Sequence, residues 1–268
     1  MSNFLSGIAD MTCSSSAENI VTYDDVVKWW KSKSLSSIEE IGEALREFNS
    51  LCAYNSNKIE GIDVSYHVTR ELFEDGNVSS FSGSFVDLMT VQNQKFATEY
   101  ATRALADKTP VTLDLICKLH KIMLYGCYDD TRWSKGERPG EFKKGDYCVG
   151  LTSEGSLPED VHEDLTELCN EVYDVLSSAK SDKIPTIASY FHLRFEQIHP
   201  FADGNGRVGR TLMNYILILG GYPPTNIFDE DKETYYLALE VFDRAEELSG
   251  FIKFVEEQTV KTWKDSMR

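Results

Sequence analysis

The segment from Phe195 to Arg210, which reads FEQIHPFADGNGRVGR, constrains the fold of this chain more than any other. A helix that carries His199 has to stop at Pro200, because proline lacks a backbone N–H and clashes with the preceding turn. Two glycines follow within a tight loop that also holds one carboxylate, and a second helix begins inside the glycine-rich part. The segment therefore predicts a helix–loop–helix unit with a polar, glycine-lined loop.

Most of the remaining sequence also has helical patterns. Apolar residues recur at a mostly three-to-four spacing from Ile38 to Ile59, with Ser36 or Ser37 as the N-cap and Gly61 as the end. A glycine-rich stretch interrupts the helices, and Glu141 to Leu151 within it favours a β-hairpin. The fold class expected is mainly α with one small β-hairpin. The other predicted helices cover Leu88–Leu105, Thr112–Leu124, Glu159–Ser177, Thr186–Ile198, Asn205–Leu219, Lys232–Phe242 and Glu246–Lys264.

Composition indicates the domain organisation and the cellular compartment. Residues 1–20 are serine-rich and have no cationic start, which indicates a mobile arm rather than a secretory signal, and residues 21–268 indicate a single domain. The longest apolar run, near 215–219, is far too short to span a membrane. Six cysteines without a CxxC pair indicate free thiols in a reducing cytoplasm. A net charge of −17 argues against a nucleic-acid partner.

The glycine-rich loop has the composition of a phosphate-binding site. Gly204 and Gly206 allow backbone N–H groups to converge on an anion, and the start of the next helix adds its positive dipole end. Arg207 and Arg210 are three residues apart, so both can reach the outer phosphates with forked hydrogen bonds. Two arginines on a helix are more often a solvated face, but here they share twelve residues with a histidine, an aspartate and the glycines. The combination predicts phosphate binding.

Two further side chains of the loop suggest catalysis. Asp203 can hold Mg²⁺, a hard cation that shares its coordination shell with phosphate oxygens. His199 lies at the rim, where a neutral imidazole can accept the proton of a hydroxyl group. Together with the phosphate cradle, they predict phosphoryl or nucleotidyl transfer, in which positioning and charge neutralisation dominate.

The sequence HPFADGNGRVGR resembles the Fic-family signature HPFx(D/E)GNGRxxR at every fixed position. The preceding FHLRFEQI is similar to the helix that leads into that signature. Leu119-His120, Gly140 and the 141–151 hairpin resemble the rest of a Fic core over about 110–220, although Lys143 stands where the family often has arginine. The resemblance implies a Fic-type helical domain that transfers AMP from ATP to a Ser, Thr or Tyr hydroxyl of a protein.

The resemblance also implies a role for each position of the motif. The hairpin would be a flap that aligns the target segment by strand addition. Gly206 stands near the position where the phosphate-transferring branch of the family has lysine, which favours AMP as the transferred group. By motif position, His199 would be the general base, Asp203 would hold Mg²⁺, Gly204, Asn205 and Gly206 would line the anion hole, Arg207 would assist the phosphates, and Arg210 would hold the γ-phosphate.

A second family pattern, (S/T)xxxE(G/N), matches Ser56 to Gly61. In relatives it lies on an inhibitory helix, which here would span about 38–60. Glu60 would pair with Arg210 and so keep it from the γ-phosphate, and Ser56, one turn earlier, would join the same network. The resemblance therefore implies an adenylyltransferase that inhibits itself, of the subclass with an N-terminal inhibitory helix.

The sequence leaves other readings open. The same residues could remove AMP from a modified protein, with Glu60 activating water, or the chain could be a non-catalytic Fic-fold interaction module. The target protein, which could be the chain itself, and assembly into homo-oligomers are also left open.

Overall fold

The computed structural model describes residues 20–149, 153–178 and 181–267. The described chain is mainly helical, as predicted, and two very short strands form an antiparallel pair. The helices are α1 (Tyr23–Ser32), α2 (Ile38–Ile59), α3 (Tyr66–Asp75), α4 (Phe85–Ala106), α5 (Leu113–Met123), α6 (Asp130–Ser134), α7 (Val161–Ser177), α8 (Ile184–Ile198), α9 (Asn205–Leu219), α10 (Lys232–Ala245) and α11 (Ser249–Trp263), and the strands are β1 (Cys148–Val149) and β2 (Ser153–Glu154).

The predicted helix–loop–helix unit forms the centre of the domain. Helices α8 and α9 pack along each other, and α9 also contacts α2, α4 and α5. Phe191, Phe195 and Phe201 are fully buried between these elements, together with Leu212 and Ile216 of α9. Since such aromatic side chains bury large apolar areas, the core fixes the two helices and the loop that joins them.

Helix α2 brings the predicted inhibitory segment to the same place. Ser37 caps it, with its side chain accepting from Glu40 N and the Glu40 side chain returning to the Ser37 backbone. Its apolar stripe, which includes Leu45 and Phe48, packs into the core against α4 and α9. The helix predicted from Ile38 is confirmed, and its C-terminal end lies beside the start of α9.

Helices α1 and α3 were not predicted. Both are ten residues long, so their periodic patterns are short, but each has a side-chain cap that the sequence displays. Thr22 forms a capping box with Asp25, and Ser65 caps α3, which ends at Gly76 in the left-handed conformation. Capping signals would therefore have identified both helices.

The hairpin predicted over 141–151 is wrong in position. Residues 141–147 form a loop, because its backbone groups bond outside the segment: Lys143 N donates to Pro200 O at 2.8 Å and Lys144 N donates to Glu137 Oε1 at 2.9 Å. N–H groups used in this way are not available to a strand ladder. Of the antiparallel pair, β1 lies at the C-terminal end of the predicted range and β2 lies just beyond it, and residues 150–152, which include Leu151, lie outside the described residues.

The predicted N-terminal arm, residues 1–20, lies outside the described residues except for Ile20. Over the part of the chain that the structure describes, none of the helices combines the length and the apolar character needed to cross a membrane.

Trp263 ties the C-terminal helix to the N-terminal ones. Its ring stacks on Phe48 of α2 with centroids 5.6 Å apart, and it lies 5.5 and 5.2 Å from Trp29 and Trp30 of α1. The indole Nε1–H donates to Pro224 O at 2.6 Å. This cluster joins α1 and α11 to the middle of α2.

We expect Trp263→Ala to lower the free energy of unfolding by about 3–5 kcal/mol, because it removes the indole ring that contacts the other three rings of this cluster. Trp263→Phe keeps a ring but loses the bond to Pro224 O, and should cost roughly 1–3 kcal/mol. Urea denaturation of both variants measures the difference. Equal stabilities of the alanine variant and the unmodified chain would contradict the packing described here.

Candidate active site

The loop between α8 and α9 is held in a sharply bent conformation. His199 ends α8 with φ 50° and ψ 62°, a left-handed backbone that is uncommon for a residue other than glycine, and its N–H donates to Phe195 O at 3.0 Å. Asn205 closes the loop from the other side: Phe201 N donates to its Oδ1 at 3.0 Å, and its Nδ2 donates to Phe201 O at 2.8 Å. The side chain of Asn205 is therefore used within the loop, and its backbone N–H is the group left for an anion.

The start of α9 has the backbone geometry that the prediction of an anion cradle requires. Gly204 is its N-cap, with φ 80°, and a Cβ there would also meet Leu124 Cδ2 at 2.5 Å, so only glycine fits. The N–H groups of Asn205, Gly206 and Arg207 lie in the first helical turn, which has no intrahelical acceptors for them. Such N–H groups and the helix dipole favour an anion at this point.

Arg210 contacts α2 across the domain, as predicted. Its Nη2 donates to Glu60 Oε1 at 2.7 Å and to Ser56 O at 3.1 Å, and its Nε donates to Ser56 Oγ at 3.0 Å. Burial raises the pKa of Glu60, but the charge and hydrogen bond of Arg210 outweigh it, so the pKa lies below its usual value and Glu60 is ionised. A Cβ on Gly206 would collide with Glu60 Oε1. The carboxylate thus rests against the start of α9.

Three buried side chains behind Arg210 were missed by the sequence analysis. Arg210 Nη1 donates to Tyr235 Oη at 3.3 Å, and Tyr235 Oη lies 2.8 Å from Nε2 of His192. Burial lowers the pKa of His192 to about 3. Burial raises the pKa of Glu196 to about 8, so this carboxyl group is neutral at pH 7. Glu60 is therefore the ionised partner of Arg210. Tyr235 lies 25 residues from Arg210 along the chain, and no motif marks it.

Asp203 lies between two arginines. Its Oδ1 is 3.3 Å from Arg207 Nη2 and its Oδ2 is 3.4 Å from Arg132 Nη2, and the side chain is 33% exposed. Arg207 is buried, and its Nε has no hydrogen-bond partner in the described structure. An unpaired buried N–H is costly, so Arg207 has a donor available for an anion. Arg132, on α6, was not predicted.

His199 is neutral, and Lys143 lies close to it. Burial, together with the charge of Lys143, lowers its pKa to about 4. Lys143 N donates to Pro200 O at 2.8 Å and its Nζ lies 3.4 Å from Ile198 O, so it binds the carbonyls on both sides of His199. Nδ1 of His199 is buried without a partner in the described structure. The site therefore holds an unprotonated imidazole at pH 7.

His120 links the loop to the segment that precedes β1. Gly140 N donates to its Nδ1 at 2.7 Å, so Nε2 carries the proton and donates to Asp203 O at 3.0 Å. The ring stacks on Phe201 with centroids 3.7 Å apart, and burial lowers its pKa to about 3. The sequence analysis noted Leu119-His120 and Gly140 only as loose similarities to the Fic core. In the structure, a hydrogen bond joins Gly140 to His120.

The predicted residues thus meet at one place, where the ends of α2 and α8 reach the start of α9. The described residues contain no cluster of three or more His, Cys, Asp or Glu side chains placed to hold a metal ion. The residues brought together are Ser56, Glu60, His199, Asp203, Gly204, Asn205, Gly206, Arg207 and Arg210.

Comparison with known proteins gives consistent results. Residues 110–217 match the model of the Fic/DOC family. The protein adenylyltransferase Fic of Drosophila willistoni is 30% identical over 239 residues, which are 87% of this chain and 45% of the relative. The corresponding protein of Drosophila persimilis is also 30% identical, over 44% of its length. The chain thus spans less than half the length of these curated relatives.

Solved structures have the same fold. A Fic-domain-containing signalling protein from Bacteroides thetaiotaomicron is 25% identical, with a TM-score of 0.74 over 90% of this chain and 94% of that one. Fic-1 from C. elegans is 23% identical, with a TM-score of 0.68 over 91% of this chain and 72% of that one. Residues 110–217 therefore form a domain of the Fic/DOC family.

Proposed function

We propose that this chain transfers AMP from ATP to a Ser, Thr or Tyr hydroxyl of a protein. The observation that carries the proposal is the neutral His199 imidazole beside a helix start with free N–H groups and the unpaired Nε of Arg207. A base, an anion cradle and positive charge are what nucleotidyl transfer requires. The relatives named protein adenylyltransferase support this reaction over other phosphoryl transfers.

The residues define the proton and charge movements of the reaction. Nδ1 of His199 is buried, which leaves Nε2 as the nitrogen that a substrate hydroxyl can reach. The hydroxyl oxygen forms a bond to the α-phosphorus while its proton passes to Nε2, and the bond from the α-phosphorus to the bridging oxygen breaks to release pyrophosphate. Gly204 to Gly206 and Arg207 would hold the α- and β-phosphates, and Arg210 would hold the γ-phosphate.

Mg²⁺ is the metal that fits the donor set. Asp203 is the single carboxylate of the loop, and the described residues offer no protein cage of several ligands around it. Mg²⁺ commonly binds one carboxylate, several waters and the phosphates of its nucleotide. Asp203 would hold the ion, which when bound neutralises charge on the departing pyrophosphate.

Glu60 would act as the inhibitor of this reaction. Its carboxylate takes Nη2 of Arg210 and lies against Gly206, where phosphates would otherwise approach. A charge-assisted hydrogen bond contributes about 1.5–3 kcal/mol. Such a bond alone would leave about 1–10% of molecules with Arg210 free. We infer that Glu60, supported by Ser56, keeps the resting enzyme largely inactive.

A second function uses the same contact. The Glu60 side chain is 30% exposed and lies at the phosphate end of the site, so it could activate a water that removes AMP from a modified protein. The non-catalytic alternative, an interaction module, has less support, because every position of the motif is filled and in contact with its neighbours. Removal of AMP would require Glu60, whereas transfer of AMP would not.

The remaining features of the proposal concern partners and organisation. ATP and a protein with a hydroxyl side chain, which could be the chain itself, would be the substrates. We further propose that residues 21–268 act as one cytoplasmic domain in which α2 serves as the inhibitory helix.

We expect Glu60→Gly to raise auto-modification by at least tenfold, because it frees Arg210 for the γ-phosphate. Glu60→Asp should release the activity partly, since the shorter side chain pairs less well. Labelled ATP with Mg²⁺, followed by mass spectrometry for an AMP adduct, measures the effect. Arg210→Ala should stay inactive in the Glu60→Gly background. If Glu60→Gly adds AMP no faster than the unmodified chain, the inhibitory assignment fails. If Glu60→Gly instead loses the ability to remove AMP from a modified protein, the second function is favoured.

His199→Ala in the Glu60→Gly background should lower the transfer rate by about 10²–10⁴, because it removes the general base. Incorporation of label per minute is the measurement. His67→Ala is the matched control, because His67 is an exposed histidine outside the site. A transfer rate close to that of the Glu60→Gly parent would show that His199 is not the base.

Transfer should require Mg²⁺ or Mn²⁺, and Asp203→Ala should abolish it in the same background. Asp75→Ala, which alters an exposed aspartate on α3, should leave the rate unchanged. Rates measured with and without EDTA test the requirement. Full activity in EDTA would overturn the role of Asp203.

A further inference from the structure

Arg132 lies beside Asp203, the carboxylate proposed to bind the metal ion. Its Nη2 lies 3.4 Å from Asp203 Oδ2, while Arg207 takes Oδ1 at 3.3 Å, so each oxygen of Asp203 faces a guanidinium. Arg132 lies outside the family motif and reaches the loop from α6. A cation that approaches Asp203 without an accompanying anion therefore meets two positive groups.

Arg132 is held in this position by a second carboxylate. Asp129 caps α6 by accepting from Arg132 N at 2.7 Å, and its Oδ2 pairs with Arg132 Nη1 at 2.9 Å. The guanidinium carbon also lies 5.7 Å from the centre of the Tyr128 ring. Because Asp129 remains as a partner, the guanidinium can leave Asp203 without becoming unpaired. Such exposed pairs are individually weak, so the contact with Asp203 is easily exchanged.

We propose that Arg132 is a positioning residue that prevents Asp203 from binding a divalent cation by itself, so that the metal enters the site only together with a nucleotide. Repulsion between a divalent cation and two guanidiniums opposes binding of the bare ion. The triphosphate of ATP carries enough negative charge to offset both arginines. When it is bound, the repulsion between the cation and the arginines no longer sets the affinity of the site for the metal. The proposal rests on the proposed nucleotide chemistry of the site, but it concerns metal affinity rather than transfer.

The consequence is an ordered use of the site. A metal ion bound alone to Asp203 would have to be displaced or rearranged when the nucleotide arrives. With Arg132 in place, Asp203 stays paired until the cation and the phosphates arrive as one complex. Arg207 adds to the effect, but it is buried and belongs to the phosphate site. Arg132, with a side chain that is 33% exposed, can be changed with less disturbance.

The test measures Mn²⁺ binding by electron paramagnetic resonance, with no nucleotide present. Arg132→Met, which keeps the apolar stem and removes the charge, should tighten Mn²⁺ binding at Asp203 about tenfold. Arg132→Lys keeps a positive charge and should bind Mn²⁺ as weakly as the unmodified chain. Adding Asp203→Asn to each protein should abolish the difference, which separates this site from other acidic groups of the chain.

Arg138→Met is the matched control. Arg138 lies on the segment after α6, stacked over the ring of Trp133 with its guanidinium carbon 3.9 Å from the ring centre, and its hydrogen bonds go to backbone carbonyls. Its loss should leave Mn²⁺ affinity unchanged. With a non-hydrolysable ATP analogue present, the advantage of Arg132→Met over the unmodified chain should shrink to less than about threefold.

Unchanged or weaker nucleotide-free Mn²⁺ binding by Arg132→Met, or equal tightening by Arg138→Met, would overturn the inference. Circular dichroism and a thermal melt of each variant verify that it is folded. If AMP transfer is never detected while the Mn²⁺ difference appears, the proposed reaction fails and the role of Arg132 stands. If transfer is found and the Mn²⁺ difference is absent, the role of Arg132 fails alone.

Discussion

The contact between Arg210 and the C-terminal end of α2 is the interaction on which the rest of the site depends. A buried guanidinium that loses its partners costs several kcal/mol, so it needs acceptors in every state of the protein. In this structure Glu60, Ser56 and Tyr235 supply them. The same contact helps to dock α2 onto α9, and under the proposed function it would also keep Arg210 from a phosphate. An anion that replaced Glu60 would then change both the inhibition and this part of the packing of α2.

Groups from outside the motif hold the loop in place. His199 has a left-handed backbone conformation that costs free energy and persists only where its surroundings fix it. Lys143 binds the carbonyls on both sides of it, and His120 binds the carbonyl of Asp203 while stacking on Phe201. Lys143 lies in the loop before β1, and His120 lies on α5. The geometry of the loop thus depends on residues outside the motif.

Charge around the site is paired, with one guanidinium group in excess. Glu60 faces Arg210 and Asp203 faces Arg207 and Arg132, while Glu196 avoids a third negative charge by remaining protonated. Under the proposed function, a nucleotide with its metal would bring charges of both signs and would exchange for these pairs without leaving a buried group unpaired. The local excess of guanidinium groups would let a chain with a net charge of −17 bind a polyanion.

The sequence by itself determined the helices with long periodic patterns and the loop with its glycines, because these follow from local spacing. The Glu60–Arg210 contact, between residues 150 apart, was expected only from the resemblance of Ser56 to Gly61 to a family pattern. The sequence analysis misplaced the hairpin and missed α1 and α3, whose signals are short. Only the tertiary structure decided that Tyr235 reaches Arg210 and that Arg132 reaches Asp203. Those contacts join residues far apart in the chain, and packing of whole helices, rather than any local pattern, sets which distant side chains meet.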